Sequence, residues 1–117
     1  MCNMRAEDHI RLLHMVEAAQ AALKFVQGRQ ASDLETDQML LFAVVRAIEI
    51  FGEAASKVSA DLQLANPFIP WRAITGMRNR LVHAYFDVDT QTVWKTLQNE
   101  IPDVLKELSA LLSKDPA

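Results

Sequence analysis

The stretch Trp71–Asp87, WRAITGMRNRLVHAYFD, decides how the rest of the chain is interpreted. It carries Arg72, Arg78, Arg80 and His83, and neither Asp nor Glu before its terminal aspartate. The chain has a formal net charge of −3, so this stretch is a basic island in an acidic protein. Pro70 suits the first helical position, where its missing N–H has no partner to lose. Apolar residues follow at spacings of 3, 4 and 4, which predicts a helix whose buried face is Ile74, Met77, Leu81 and Tyr85.

A second, polar row follows the same predicted helix. Arg72, Gly76, Asn79 and His83 are spaced 4, 3 and 4, so they share one stripe. Glycine lowers helix propensity by about 1 kcal/mol relative to alanine, so Gly76 needs a reason. It either lets a partner backbone or a phosphate come close to Asn79 and His83, or packs against a neighbouring helix beside a solvated arginine and histidine. Spacing leaves both open.

Arg78 falls inside the apolar face of this helix, and a buried guanidinium must be paired or bound. Arg78 and His83 are five residues apart, about 140° around an ideal helix. They meet at one small ligand only if Arg78 reaches round, if the helix end distorts, or if a second copy supplies the other residue across a two-fold axis. The last arrangement is a first indication of a homodimer.

Composition indicates one helical domain. The chain has 117 residues, half of them hydrophobic, with only 3 glycines and 4 prolines, mostly where helices would begin or end. The single Cys2 excludes an internal disulfide, and neither a signal peptide nor a membrane span is expected, so we expect a cytoplasmic protein. The negative net charge argues against broad coating of nucleic acid. We therefore expect no DNA partner and only local contact with RNA.

We predict an all-α, antiparallel four-helix bundle formed by residues 1–117. The first helix covers about residues 6–27, with Gly28 as a cap. The second starts near Ser32, which fits a capping box with Glu35, and extends to about residue 62.

The fourth helix follows the basic stretch. Asp87 and Asp89 are candidate caps for it. Pro102 interrupts its apolar seam and lacks the N–H that an α-helix uses. We therefore expect this helix to kink or break near Pro102.

The second helix is apolar over so wide an arc that a four-helix monomer would bury only part of it, a second indication of self-association. Its narrow polar strip is Arg46, Glu49, Glu53 and Lys57. Either Glu53 and Lys57 support each other within the helix, or Glu49 or Glu53 pairs with Arg78 or Arg72 and orients it.

The run RNRLVHAY, Arg78–Tyr85, resembles the R-x4-H-x-Y motif of HepT-like proteins in the HEPN superfamily of small helical ribonucleases. The resemblance includes RAIEIFGEAASKVS, IPWRAITGMRNRLVHAYFDVD and TVWKTL, in the same order, and covers most of the chain. R-x4-H alone is frequent by chance, but R-N-x-x-x-H-x-Y after I-P-W is far more specific. The resemblance implies a HEPN-like fold.

The residues of this stretch are sufficient for RNA cleavage without a metal. His83 can act as base or acid near neutral pH, and Arg78 suits phosphate binding and the charge of the transition state. Asn79 could orient the imidazole or hold a phosphate oxygen. One histidine cannot comfortably supply both proton transfers, so two copies would share a composite site on the dimer axis. No metal site and no cofactor are expected.

The resemblance assigns roles to particular residues. It implies that Arg78 and His83 are the catalytic pair. From spacing and charge alone we add Asn79 to the catalytic set, and Arg72, Arg80, Glu49 and Glu53 as supporting or RNA-binding residues. In HepT-like toxins the motif tyrosine receives AMP from a cognate minimal nucleotidyltransferase of the MntA type, which makes Tyr85 the implied acceptor. On the residues alone, Tyr85 is equally a core tyrosine with its hydroxyl bonded.

The leading hypothesis is therefore an endoribonuclease toxin of a type II or type VII-like toxin–antitoxin pair. It would act as a homodimer on RNA and be neutralised by nucleotidylation of Tyr85. One alternative is a non-catalytic dimeric module that docks the nucleotidyltransferase or its nucleotide. Another is a purely structural bundle, which would leave Arg78 without a ligand.

Overall fold

Two long helices packed along each other form the centre of the fold. They are α1 (Ala6–Phe25) and α3 (Gln38–Ser56). A computed structural model describes residues 4–84 and 87–114, without the side chains of residues 82–84. The other elements are α2 (Asp33–Thr36), α4 (Ala60–Ala65), α5 (Trp71–Thr75), α6 (Met77–Leu81), β1 (Val82–Ala84), β2 (Asp87–Val88), α7 (Thr90–Lys95), a π-helical turn (Thr96–Glu100) and α8 (Ile101–Ser113). The predicted all-α class is confirmed, with one short antiparallel ladder added.

A single core joins four lengths of helix: α1, α3, the pair α5 and α6, and the run from α7 to α8. α8 packs on α1, while α5 and α6 pack on α3. The large side chains at its centre are Leu12, Met15, Ile48, Phe51, Ile74, Met77, Leu81, Leu97, Ile101 and Leu108. No helix within the described ranges is both long and apolar enough to cross a membrane.

The segment between α1 and α3 differs from the prediction. Gly28 turns the chain with φ +75°, as expected of a glycine at a helix end. The capping box of Ser32 and Glu35 is wrong, because Ser32 itself has helical angles and its side chain makes no cap hydrogen bond. Asp37 caps α3 instead: its carboxylate accepts a hydrogen bond from the Leu40 N–H at 3.1 Å.

Asp37 is held in that position by an ion pair. Its carboxylate lies 2.7 Å from the Arg29 guanidinium. The hydrogen bond from Arg29, followed by the one from the Leu40 N–H, lowers the pKa of Asp37 below its usual value. The Asp37 carboxylate therefore stays ionised, and the long helix begins after Asp37 rather than after Ser32.

The predicted second helix is also shorter at its far end, because α3 stops at Ser56 and a new helix begins after Ser59. The Ser59 side chain accepts the Leu62 N–H at 3.2 Å and so caps α4. Asp8 of α1 is buried, and its carboxylate accepts the Ser59 N–H at 2.8 Å and the Ser59 hydroxyl at 2.6 Å. This buried carboxylate fixes the start of α4 against α1.

A glycine allows α3 and α5 to come together, but it is not Gly76. A Cβ at Gly52 would lie 2.9 Å from the carbonyl oxygen of Ile74, so no larger residue fits without movement. Gly76 instead separates α5 from α6, and a Cβ there would meet the Arg72 carbonyl of its own helix at 3.3 Å. Among the described residues Gly76 therefore packs against no neighbouring helix, and its role in admitting a partner backbone or a phosphate stays a prediction.

The last helix is irregular near Pro102, as predicted. Asp89 caps α7 by accepting the Thr92 N–H at 3.0 Å, whereas the other candidate cap belongs to β2. In the π-helical turn the Ile101 N–H bonds to the Thr96 carbonyl, and α8 follows with Pro102 in its first turn. The helix changes its bonding pattern where proline removes a donor.

Candidate active site

The helix that carries the candidate site is shorter than predicted, and this changes the geometry. α6 ends at Leu81, whose carbonyl accepts the Asp89 N–H at 2.8 Å. The backbone of His83 therefore lies on β1, off the helical stripe of Asn79. The prediction that one helix face carries both residues is wrong, because this pairing across the turn overrides the helical periodicity.

Two predicted site residues lie beyond what the structure describes. The side chain of His83 and the whole of Tyr85 are outside the described residues. Their catalytic and acceptor roles stay predictions. The end of α6 at Leu81 does supply the distortion named above as one route by which Arg78 and His83 could reach one ligand.

Arg78 is anchored on the neighbouring helix. Its Nε donates to Oε2 of Glu49 on α3, with 2.5 Å between these atoms. The Arg78 side chain is 55% exposed, so its predicted place in the apolar face is wrong. The break at Gly76 is the physical reason, because the wheel of one continuous helix does not apply across it.

Glu49 also lies close to a second arginine. Arg46, one turn earlier on α3, places Nη1 3.7 Å from Oε1 of Glu49. Among the described residues Glu53 forms no ion pair, so the predicted Glu53–Lys57 support is not seen and Glu49 is the carboxylate that holds Arg78. Sequence reasoning left Arg46 out of the site, although its i, i+3 spacing to Glu49 was a visible signal.

The remaining candidates differ in their surroundings. Arg80 pairs with Glu100 of the π-helical turn at 3.0 Å and donates to the Ala73 carbonyl at 3.4 Å, so it links α6 to that turn. Arg72 and Asn79 are exposed, and no described residue hydrogen-bonds to either side chain. No described residue therefore competes with a ligand for these two side chains, whereas Arg80 already pairs with a carboxylate.

An apolar groove runs beside this cluster, between α1 and α3. Its volume is about 610 Å³, and its lining residues are His14, Glu17, Ala18, Ala21, Phe25, Ala43, Arg46, Ala47 and Ile50. Phe25 and Ile50 are partly exposed there. Met39 and Phe42 are also exposed near the start of α3, where Phe42 lines a separate pocket with residues of α2. The described monomer thus leaves part of the apolar arc of α3 uncovered, as the sequence predicts.

The chain is thus a small helical bundle with an anchored arginine on the short helix that leads to the strand of His83. The chain belongs to the ribonuclease HepT-like family, whose family model matches residues 15–111. This membership places it among RNA-cleaving enzymes.

Curated relatives agree with this assignment. The probable ribonuclease HepT of Thermococcus cleftensis is 39% identical over 90 residues, which cover 77% of this chain and 82% of that protein. A provisionally named RNase of Methanocaldococcus jannaschii is 34% identical over 101 residues, 86% and 84% of the two chains. Another, from Caldanaerobacter subterraneus subsp. tengcongensis, is 33% identical over 104 residues, 89% and 93%. No solved structure matches the chain significantly.

Proposed function

We propose that this protein is an endoribonuclease toxin of a type II or type VII-like toxin–antitoxin pair. It acts on RNA in the cytoplasm, without a metal, at a composite site of Arg78 and His83 on the axis of a homodimer. The observation that carries the proposal is the Arg78–Glu49 contact in a chain of the ribonuclease HepT-like family. That contact holds an exposed guanidinium near the start of the short helix that leads to His83.

The chemistry follows from these side chains. One His83 imidazole takes the proton of the ribose 2′-OH, and the 2′-oxygen attacks the adjacent phosphorus. Arg78 stabilises the negative charge that grows on the phosphoryl oxygens. The bond to the 5′-oxygen breaks as a second imidazolium protonates that oxygen. The products are a 2′,3′-cyclic phosphate and a free 5′-hydroxyl.

The second imidazole comes from a second copy of the chain. The uncovered apolar surface of α1 and α3 supports self-association, because Phe25, Phe42 and Ile50 remain 41%, 50% and 38% exposed in the described monomer. Arg46 lines that groove and neighbours Glu49, so the apolar face and the arginine site adjoin. An interface there would bring the two sites towards one axis.

Regulation is proposed at Tyr85. An MntA-type nucleotidyltransferase antitoxin attaches AMP to its hydroxyl, and the added phosphate neutralises the cation of the site. Asn79 and Arg72 stay free of protein partners in the described part of the chain and would contact the substrate.

Induced expression of wild type, Arg78→Ala and His83→Ala tests the proposal. Wild type should arrest growth and cleave cellular RNA, and both variants should lose arrest and cleavage while remaining folded and dimeric. Co-expression of the partner should rescue wild type but not Tyr85→Phe, which keeps its toxicity. A harmless wild type that binds the partner tightly would instead establish the non-catalytic docking module.

A further inference from the structure

Two arginines from different helices share one carboxylate at the surface of α3. Glu49 presents Oε2 to Nε of Arg78 at 2.5 Å and Oε1 to Nη1 of Arg46 at 3.7 Å. Each guanidinium meets a different oxygen of the same group. The two guanidinium groups therefore lie on either side of one carboxylate.

Both guanidinium groups keep donors available. Arg78 donates to Glu49 through Nε alone, and no other described residue accepts a hydrogen bond from its two Nη groups. The Arg46 contact is too long for a hydrogen bond, and no residue in the described part of the chain accepts a hydrogen bond from its guanidinium. Their side chains are 55% and 66% exposed, against 26% for Glu49.

The cluster retains a net positive charge, because two cations surround one anion. Exposed ion pairs of this kind contribute little free energy, so an incoming phosphate can compete for the arginines. Glu17 and His14 line the groove beside Arg46, and neither forms an ion pair with it among the described residues. The donors of the two guanidinium groups that face away from Glu49 can thus bind two oxyanions.

We propose that Arg46 and Arg78, joined through Glu49, bind consecutive phosphates of one RNA strand. Arg78 takes the phosphate that is cleaved and Arg46 takes a flanking phosphate. This inference rests on the proposed ribonuclease function and adds Arg46 as a substrate-binding residue. Guanidinium groups suit this role because they offer paired donors to phosphate oxygens.

Binding of a fluorescent 2′-O-methyl oligonucleotide, measured over a range of salt concentrations, tests the inference. This probe cannot be cleaved because its 2′-oxygen is blocked. Arg46→Ala and Arg46→Gln should each weaken binding by about tenfold. They should also reduce the magnitude of the slope of log K against log salt by about 0.7, the value for one phosphate contact on a single strand.

Lys106→Ala is the matched control, since it removes one exposed cation from α8 outside the cluster. It should leave the slope at the wild-type value. A wild-type slope in both Arg46 variants, or the same loss in Lys106→Ala, would overturn the inference. If wild type still cleaves unmodified RNA in that case, the proposed function stands alone. If wild type neither binds the probe nor cleaves RNA, both fail.

Discussion

Glu49 sets the position of the Arg78 guanidinium. By accepting from Nε it fixes the plane of the guanidinium and leaves the Nη edge for phosphate. If Arg78 binds RNA as proposed, the negative charge of Glu49 also offsets part of that attraction. The residue therefore trades some substrate affinity for a defined position of the cation.

Two substitutions separate these effects. Glu49→Gln keeps an oxygen for Nε but removes the charge, so it should bind RNA more tightly and keep kcat within about tenfold of wild type. Glu49→Ala also loses the anchor, and misplacement of a catalytic group should lower kcat by about 10²-fold. Glu7→Ala, exposed on α1, is the control for loss of a charge. Equal kinetics for the two Glu49 variants in an RNA cleavage assay would show that position is not the role of Glu49.

The sequence limits such assignments at the residue scale. It allowed Glu49 or Glu53 to pair with Arg78 or Arg72, and only the three-dimensional packing of α6 on α3 selects one pair. The expected burial of Arg78 failed because a helical wheel assumes that the helix continues through Gly76. The chemical types of the residues were predictable, whereas their partners were not.

Helix ends were the least predictable elements. Ser32 with Glu35 and Asp37 with Leu40 both fit capping rules, and the ion pair from Arg29 favours the second. The apolar spacing predicts a helix that continues to Tyr85, yet α6 ends at Leu81, whose carbonyl accepts the Asp89 N–H across the turn. The presence of α1 and α3, by contrast, was predictable because their apolar residues keep helical spacing over many consecutive turns.

Asp8 connects two of these elements and offers a test at their scale. Asp8→Ala would leave the Ser59 N–H without its acceptor, and should lower the free energy of unfolding by about 1–3 kcal/mol. Glu7→Ala removes an exposed carboxylate from the preceding position and should change it little. Urea unfolding of the two variants makes the comparison. Equal effects would mean that the buried contact does not stabilise the start of α4.

For the whole molecule, the exposed apolar surface of α3 is the feature that indicates self-association. The sequence predicts it from the width of the apolar arc, and the structure leaves Phe42 and Ile50 half or partly exposed. A second copy that covers this surface would complete the proposed composite site, to which each copy contributes one imidazole. Cleavage of RNA would then depend on dimerisation.

Mixing active and inactive chains tests that claim most directly. Wild type is exchanged with the Arg78→Ala/His83→Ala double variant at constant total protein concentration, and RNA cleavage is measured against the wild-type fraction. If each site needs both copies, activity falls as the square of that fraction, to about one quarter at equal amounts. A linear fall, to about one half, would contradict the composite site, and absence of cleavage by wild type would contradict the ribonuclease itself.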